Sequence, residues 1–169
     1  MKKLILIALV LMPLSAVAQQ KFAHINASEV FAAMPETTTA QTELQTLQTQ
    51  YQEEFQRLQD ELRTKYEDYQ KNEATLPDAT KQRRQQELQD LNQRLEEFAQ
   101  KSEQDIQTKY QEKLAPIHEK LFNAIKEVGT AGGYVYVVDI SAQATPILFF
   151  NETLSTDVTS QVKAKLGIK

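Results

Sequence analysis

Apolar residues are arranged symmetrically about Leu76-Pro77 along half of the chain. Counted outward in both directions, they fall at matching distances, so that the residue numbers of each pair sum to 153 or 154. The pairs are Leu62 with Leu91, Leu58 with Leu95, Phe55 with Phe98, Leu47 with Ile106, Leu44 with Tyr110 and Tyr66 with Leu88. Two antiparallel helices joined at this point would place the partners level, and each would bury its apolar stripe against the other. The pattern therefore predicts an α-helical hairpin with its tip near residues 76–78.

The predicted hairpin occupies residues 37–128 and forms a projecting arm. Roughly 38 residues per helix at 1.5 Å per residue give the arm a length of about 55 Å. The apolar residues recur at a mean interval of about 3.6 residues, which favours nearly straight helices. Ser102 and Lys113 interrupt this apolar seam, and Pro116 predicts a kink in the second helix.

Short strands are predicted only in the segments that flank the hairpin. Residues 22–26 form one candidate, and residues 134–140 form the clearest one because they are rich in aromatic and β-branched side chains. A third candidate covers residues 147–150. Ser28 and Asp157 are predicted to cap two short helices, the first of them stopped by a proline.

The predicted fold class is α+β, with a long antiparallel helical hairpin, a coiled-coil arm, projecting from a small β-rich base. Residues 19–36 and 129–169 would form this base, and no cysteine is present to stabilise it with a disulfide. Nearly continuous apolar strands need cover on both faces or partners at their edges. A base this small therefore predicts oligomerisation. The residues expected at the subunit contact are Phe22, Ile25, Val135, Val137, Ile147 and Phe149.

The first eighteen residues have the features of a secretory signal peptide. Lys2 and Lys3 precede an apolar run at residues 4–14, and Ala16-Val17-Ala18 is typical of a cleavage site. This arrangement predicts a mature chain that begins at Gln19 and is secreted across the inner membrane to the periplasm. The alternative is an uncleaved N-terminal anchor.

Residues that usually carry catalysis are scarce in this sequence. His24 and His118 are the only histidines, and they lie in different predicted elements. The sequence contains no GxSxG, HExxH, phosphate-binding glycine loop or dinucleotide fingerprint. We therefore predict no enzymatic activity, no catalytic residue, no cofactor and no metal site. The net charge of −4, which becomes −6 when the two lysines leave with the signal, argues against nucleic-acid binding.

The distal part of the arm is locally basic. Residues 63–84 contain six basic and four acidic side chains, so their net charge is +2. One interpretation is ordinary surface charge on a helix. The other is that Lys81, Arg83 and Arg84 contact anionic material such as lipid headgroups or lipopolysaccharide.

Three segments occur in a characteristic order around the hairpin. They are Phe22-Ala-His-Ile-Asn26 with Glu29-Val-Phe31, then Tyr134-Val-Tyr-Val-Val-Asp139, then Asp157-Val-Thr159 leading to Val162 and Leu166. With the signal peptide and the Leu-Pro tip, they resemble the Skp/OmpH family of periplasmic chaperones over the whole mature chain. The resemblance implies a homotrimer in which strands of three subunits form a central barrel and three hairpins surround a cavity. It also implies that the cavity holds unfolded outer-membrane proteins without ATP.

Charge separates this chain from the family pattern. Familiar members are strongly basic, whereas this chain is acidic, which weakens any carry-over of lipopolysaccharide binding and of purely electrostatic client capture. Two other functions also use long hairpins: an adaptor in an efflux or secretion machine, and a structural coiled coil of the envelope. An adaptor needs far more flanking sequence than precedes Ala40, and a purely structural coiled coil does not need the strands of residues 134–150. We therefore favour an ATP-independent periplasmic holdase.

Overall fold

Two long helices account for most of the computed structural model, which describes residues 20–141, 147 and 149–168. The elements in chain order are β1 (Lys21–Ile25), α1 (Ala27–Ala33), α2 (Pro35–Asn72), a 3-10 turn (Glu73–Thr75), α3 (Asp78–Gly132), β2 (Tyr134–Asp139), β3 (Ser155–Asp157) and α4 (Thr159–Lys165). Long helices joined to a small sheet confirm the predicted α+β architecture. The predicted signal peptide, residues 1–18, lies outside the described residues.

Helices α2 and α3 pack against each other as an antiparallel hairpin. Near the tip, the side-chain amide of Gln85 donates a hydrogen bond to the Tyr69 hydroxyl at 2.9 Å. Further toward the base, the Tyr51 hydroxyl donates to Asp105 Oδ2 at 2.7 Å. The residue numbers in these pairs sum to 154 and 156, close to the predicted mirror. The antiparallel pairing read from the apolar pattern is therefore confirmed.

Prolines and a glycine set the ends of the arm helices. Leu76 is extended, with φ −78° and ψ 141°, because the ring of the following proline disfavours helix at this position. Helix α3 continues through Pro116, so the predicted kink does not divide it. The helix ends at Gly132, four residues beyond the predicted end of the arm at residue 128, and Gly133 is its C-cap. Gly133 adopts a left-handed φ of +66°, and its N–H bonds to the Thr130 carbonyl.

The base contains a three-stranded parallel sheet with the order β2-β1-β3, so the first strand of the chain is the central one. Ala23 and Ile25 of β1 are each 1% exposed and face the core. The other buried apolar members of this core are Val30, Met34, Ala40, Ile117, Leu121, Ala124, Val158 and Val162. The core thus lies between one face of the sheet, helices α1 and α4, and the ends of the arm helices nearest the base.

The third strand and both predicted helix caps differ from the predictions. Helix α4 begins at Thr159, so Val158 rather than Asp157 occupies its N-cap position. The described residues of the predicted strand, 147, 149 and 150, are not in a strand, and Ser155–Asp157 pairs with β1 instead. Helix α1 begins two residues earlier than predicted because Asn26 is its N-cap, accepting the Glu29 N–H at 3.1 Å. Pro35 lies in the first turn of α2, where its missing N–H costs nothing.

Candidate functional site: an apolar base face and a charged arm

The face of the sheet opposite the core is apolar and exposed. Side chains alternate along a strand, so Phe22 and His24 lie on the face opposite Ala23 and Ile25. Phe22 is level with Tyr136 of β2, and their rings stack with centroids 6.3 Å apart and an interplanar angle of 10°. In this single chain, 65% of Tyr136 is exposed.

A depression of about 310 Å³ continues this face between the sheet and the segment that precedes β3. His24 lies within it, with Nδ1 2.8 Å from Ser155 Oγ and its ring 4.8 Å from that of Phe150. The apolar side chains that line the depression include Val138, Ile140, Ile147, Phe149 and Leu154. Contiguous exposed apolar surface of this kind marks an interaction site on a soluble protein. We call this surface, with Phe22 and Tyr136, the base face.

The structure divides the six residues predicted at the subunit contact. Phe22, Val135, Ile147 and Phe149 are exposed, with Phe149 82% exposed. Ile25 and Val137 instead pack into the core of their own chain, because the register of the parallel strands places both on the core side. Their side chains pack in the core, on the side of the sheet opposite the base face.

Several residues of the base face were not identified from the sequence. The alternation of side chains along β2 could have identified Tyr136 and Val138, since they alternate with the core-facing Val137. In the sheet they are level with Phe22 and His24. Leu154 is 67% exposed and stands among polar residues, so nothing in the local pattern marks it. Its position depends on β3, which the sequence did not predict.

At the arm tip, the three predicted basic residues have different surroundings. The Arg84 guanidinium lies 3.4 Å from Glu87 Oε2 and 3.9 Å from Asp68 Oδ2. Glu87 also pairs with a lysine of the opposite helix, Lys65, and this bond is the main cause that lowers the pKa of Glu87. In the described part of the chain, neither Lys81 nor Arg83 has an acidic partner. Unpaired positive charge at the tip therefore resides on these two side chains and on Lys71, which is exposed and also has no acidic partner among the described residues.

The described residues contain no cluster of three or more His, Asp or Glu side chains that would suit a metal ion. Within these ranges, no helix combines the length and the apolar character that crossing a membrane requires.

Comparisons with known proteins agree with this geometry. A family model described as outer membrane protein (OmpH-like) matches residues 21–166. A crystal structure of a candidate outer membrane chaperone (OmpH-like) from Caulobacter crescentus CB15 aligns with a TM-score of 0.72 and 16% sequence identity, covering 87% of this chain and 83% of that chain. At this identity, the likeness establishes the fold. Among curated protein sequences, none matches significantly. Because the family model spans nearly all of the described residues, this chain belongs to the OmpH-like family.

Proposed function

We propose that this protein is an ATP-independent periplasmic holdase chaperone that binds unfolded outer-membrane proteins and prevents their aggregation. Membership of the OmpH-like family supports a role as a chaperone without enzymatic activity. The observation that carries the proposal is the base face, which a single chain leaves open beside a long polar arm.

Three chains would cover this apolar surface by bringing their base faces together. The three arms would then surround a cavity, with their polar helices toward the client and the solvent. In this arrangement residues 19–36 and 129–169 form the assembling base, and residues 37–128 form the arm. The signal peptide of residues 1–18 would direct the chain to the periplasm.

The mechanism requires no bond chemistry. Strands of an unfolded β-barrel are amphipathic, and such segments aggregate when they are exposed. A protein that binds only the unfolded state lowers the concentration of free unfolded chains by mass action and so reduces their aggregation. It releases the client when a more favourable partner is available. Arms that are mostly polar offer many weak contacts, which suits clients that must be released without ATP.

A light-scattering experiment tests the proposal directly. An unfolded outer-membrane β-barrel is diluted from urea into buffer with and without the mature protein, in the absence of nucleotide. We expect stoichiometric amounts of the protein to suppress scattering, and an unrelated helical protein of similar charge to have little effect. Equal scattering with both proteins would contradict the holdase function.

A further inference from the structure

The middle of the arm has a shallow apolar groove between its two helices. Its floor is formed by half-buried side chains of both helices, Tyr51 and Phe55 from α2 and Phe98 and Ile106 from α3. The rings of Tyr51 and Phe98 meet edge to face with centroids 5.9 Å apart. The Tyr51 hydroxyl is held by Asp105, so the ring has a defined position.

The dimensions of the groove suit a short extended segment. It follows α2 from Gln48 to Phe55, which corresponds to roughly 10 Å along the helix axis. An extended chain rises about 3.3 Å per residue, so about three residues lie along the groove. Alternate side chains of such a segment point to one face. Two apolar side chains would therefore enter the groove, while the residue between them points away.

The groove lies in the most acidic part of the molecule. Residues 43–61 and 87–105 contain eleven acidic and three basic side chains, a net charge of −8, although the whole chain carries only −4. Seven of these carboxylates form no ion pair within the described residues: Glu53, Glu61, Asp90, Glu96, Glu97, Glu103 and Asp105. Glu103 is the carboxylate that lines the groove itself.

We propose that this mid-arm groove binds extended segments of unfolded clients in which aromatic or branched side chains alternate with lysine or arginine. The apolar side chains enter the groove, and a neighbouring cation meets Glu103 and the surrounding negative field. Glutamine side chains on the α2 side, Gln48 and Gln52, offer hydrogen bonds to the client backbone. This inference rests on the proposed function, because it names the client chemistry that the arms select.

Matched peptides test the selection. Two labelled nine-residue peptides alternate tyrosine and valine with either lysine or glutamate, and fluorescence anisotropy measures their binding to the mature protein. We expect the lysine peptide to bind at least about fivefold more tightly at 10 mM ionic strength, where charges interact over about 30 Å. The difference should nearly vanish near 0.5 M salt, where the screening length is roughly 4 Å. Equal affinity at low salt would overturn the inference.

Two charge reversals locate the site. Glu103→Lys changes the groove, whereas Glu119→Lys makes the same change in net charge at an exposed residue of α3 that lies outside the acidic stretches, sixteen residues or about 24 Å further along the helix. We expect Glu103→Lys to weaken binding of the lysine peptide about fivefold and Glu119→Lys to weaken it less than twofold. Equal weakening by both would overturn the proposal, since overall charge would then explain the binding. Circular dichroism checks that each variant is folded, and Glu103→Gln, with about half the effect, replaces the reversal if it misfolds.

Further outcomes separate this inference from the proposed function. If the wild type suppresses client aggregation but binds both peptides equally, only the inference fails. If it suppresses no aggregation, the holdase function is contradicted. The difference in affinity between the two peptides still tests the inference about the groove. If Glu103→Lys instead changes the sedimenting mass of the protein alone, the groove is a contact between copies of this chain, and the client proposal is overturned.

Discussion

Asp157 connects the third strand to the last helix, and its contacts predict a pH dependence of stability. Its Oδ1 accepts the Thr159 N–H at 2.8 Å, and hydrogen bonds from the Thr159 side chain and backbone lower its pKa. A carboxyl whose pKa is lowered by folding stabilises the fold above its unfolded pKa of about 3.9 and loses this contribution as the pH falls through its folded pKa. We therefore expect the free energy of unfolding, measured with urea and circular dichroism, to decrease below about pH 4.

Substitution of Asp157 isolates this contribution. Asp157→Asn keeps a side-chain acceptor but removes the charge, so the wild type should be more stable than the variant at pH 6, and by a smaller margin at pH 3. Glu152→Gln is a suitable control, because Glu152 is an exposed acid of the same base with no ion pair among the described residues. A stability difference that is the same at both pH values would contradict the explanation.

Helix caps show where residue-level prediction reached its limit. Ser28 and Asn26 are both suitable N-cap residues by type, and the sequence pattern favoured Ser28. The structure uses Asn26, whose own N–H donates to Thr159 Oγ1 at 3.1 Å, while the Ala27 N–H donates to Asp139. These partners lie more than 110 residues further along the chain. Local sequence patterns therefore cannot predict the contacts that determine where β1 ends and α1 begins.

At the scale of elements, long helices were predictable and the shortest strand was not. The arm follows from an apolar period that persists over many turns, and its polar interruptions are satisfied: Ser102 Oγ donates to the Phe98 carbonyl at 2.7 Å, and Lys113 pairs with Glu43. The strand Ser155–Asp157 has three polar residues and no recognisable pattern. It forms because β1 has an open edge, which is a tertiary cause.

Shortening the arm tests whether it acts on clients. Phe55 and Phe98 line the same groove, so deletion of residues 55–98 removes matched lengths of both helices, and a short loop can rejoin them. We expect the shortened protein to keep the same number of subunits, so that the mass of each subunit falls only by that of the deleted residues. Suppression of client aggregation should fall sharply. Deletion of residues 70–84, just beyond the bonded pair Tyr69 and Gln85, is the control and should retain most activity. Full protection by the shorter arm would show that the arm is dispensable.

Charge reversal at the tip tests contact with anionic surfaces. Arg83 is exposed and lacks an acidic partner among the described residues, so Arg83→Glu should weaken binding to anionic lipid vesicles roughly tenfold at low salt and little near 0.5 M salt. Arg94→Glu is the matched control, since Arg94 is also exposed and lies eleven residues away on nearly the same helix face. Vesicle co-sedimentation gives the measurement. If the wild type does not bind these vesicles at low salt, the tip has no such role.

At the scale of the whole molecule, the exposed base face predicts self-assembly, and the resemblance to the Skp/OmpH family implies that the assembly has three chains. Sedimentation equilibrium of the mature protein should give about three times the subunit mass, and its melting temperature should rise with protein concentration. Phe149→Asp should shift the mass toward the monomer, because it would bury an unpaired charge in the subunit contact. Phe149 is preferable to Val137 for this test, since its 82% exposure makes it unnecessary to the fold of one chain.

An exposed aromatic residue on the arm provides the control for assembly. Tyr66→Asp introduces the same charge at a residue that is 50% exposed and distant from the base. It should leave the sedimenting mass unchanged. A trimer that tolerates Phe149→Asp as well as it tolerates Tyr66→Asp would place the subunit contact elsewhere.

The exposed apolar surface of the base was predictable from the sequence in general, whereas the residues that form it were not all so. Apolar strands in a small base without cysteine indicate apolar surface that one chain cannot cover, whichever way the strands are paired. Which side chains remain exposed depends on register, because a shift of one residue exchanges the two faces of a strand. The sequence pattern alone places Ile25 and Val137 at the subunit contact, whereas the register places both in the core of their own chain.

The central position of β1 also determines the order in which the chain can fold. Lys21 pairs with Tyr134, and Phe22 pairs with Ser155, so the first strand to be synthesised has no partner until more than 110 further residues are available. The hairpin between them is built from nearer contacts, beginning at the tip, and can close sooner. The arm should therefore gain helical structure early in refolding, while protection of the β1 amides from hydrogen exchange appears last. Until then the nascent chain carries an exposed apolar strand. During that interval this protein is itself a candidate client for a chaperone.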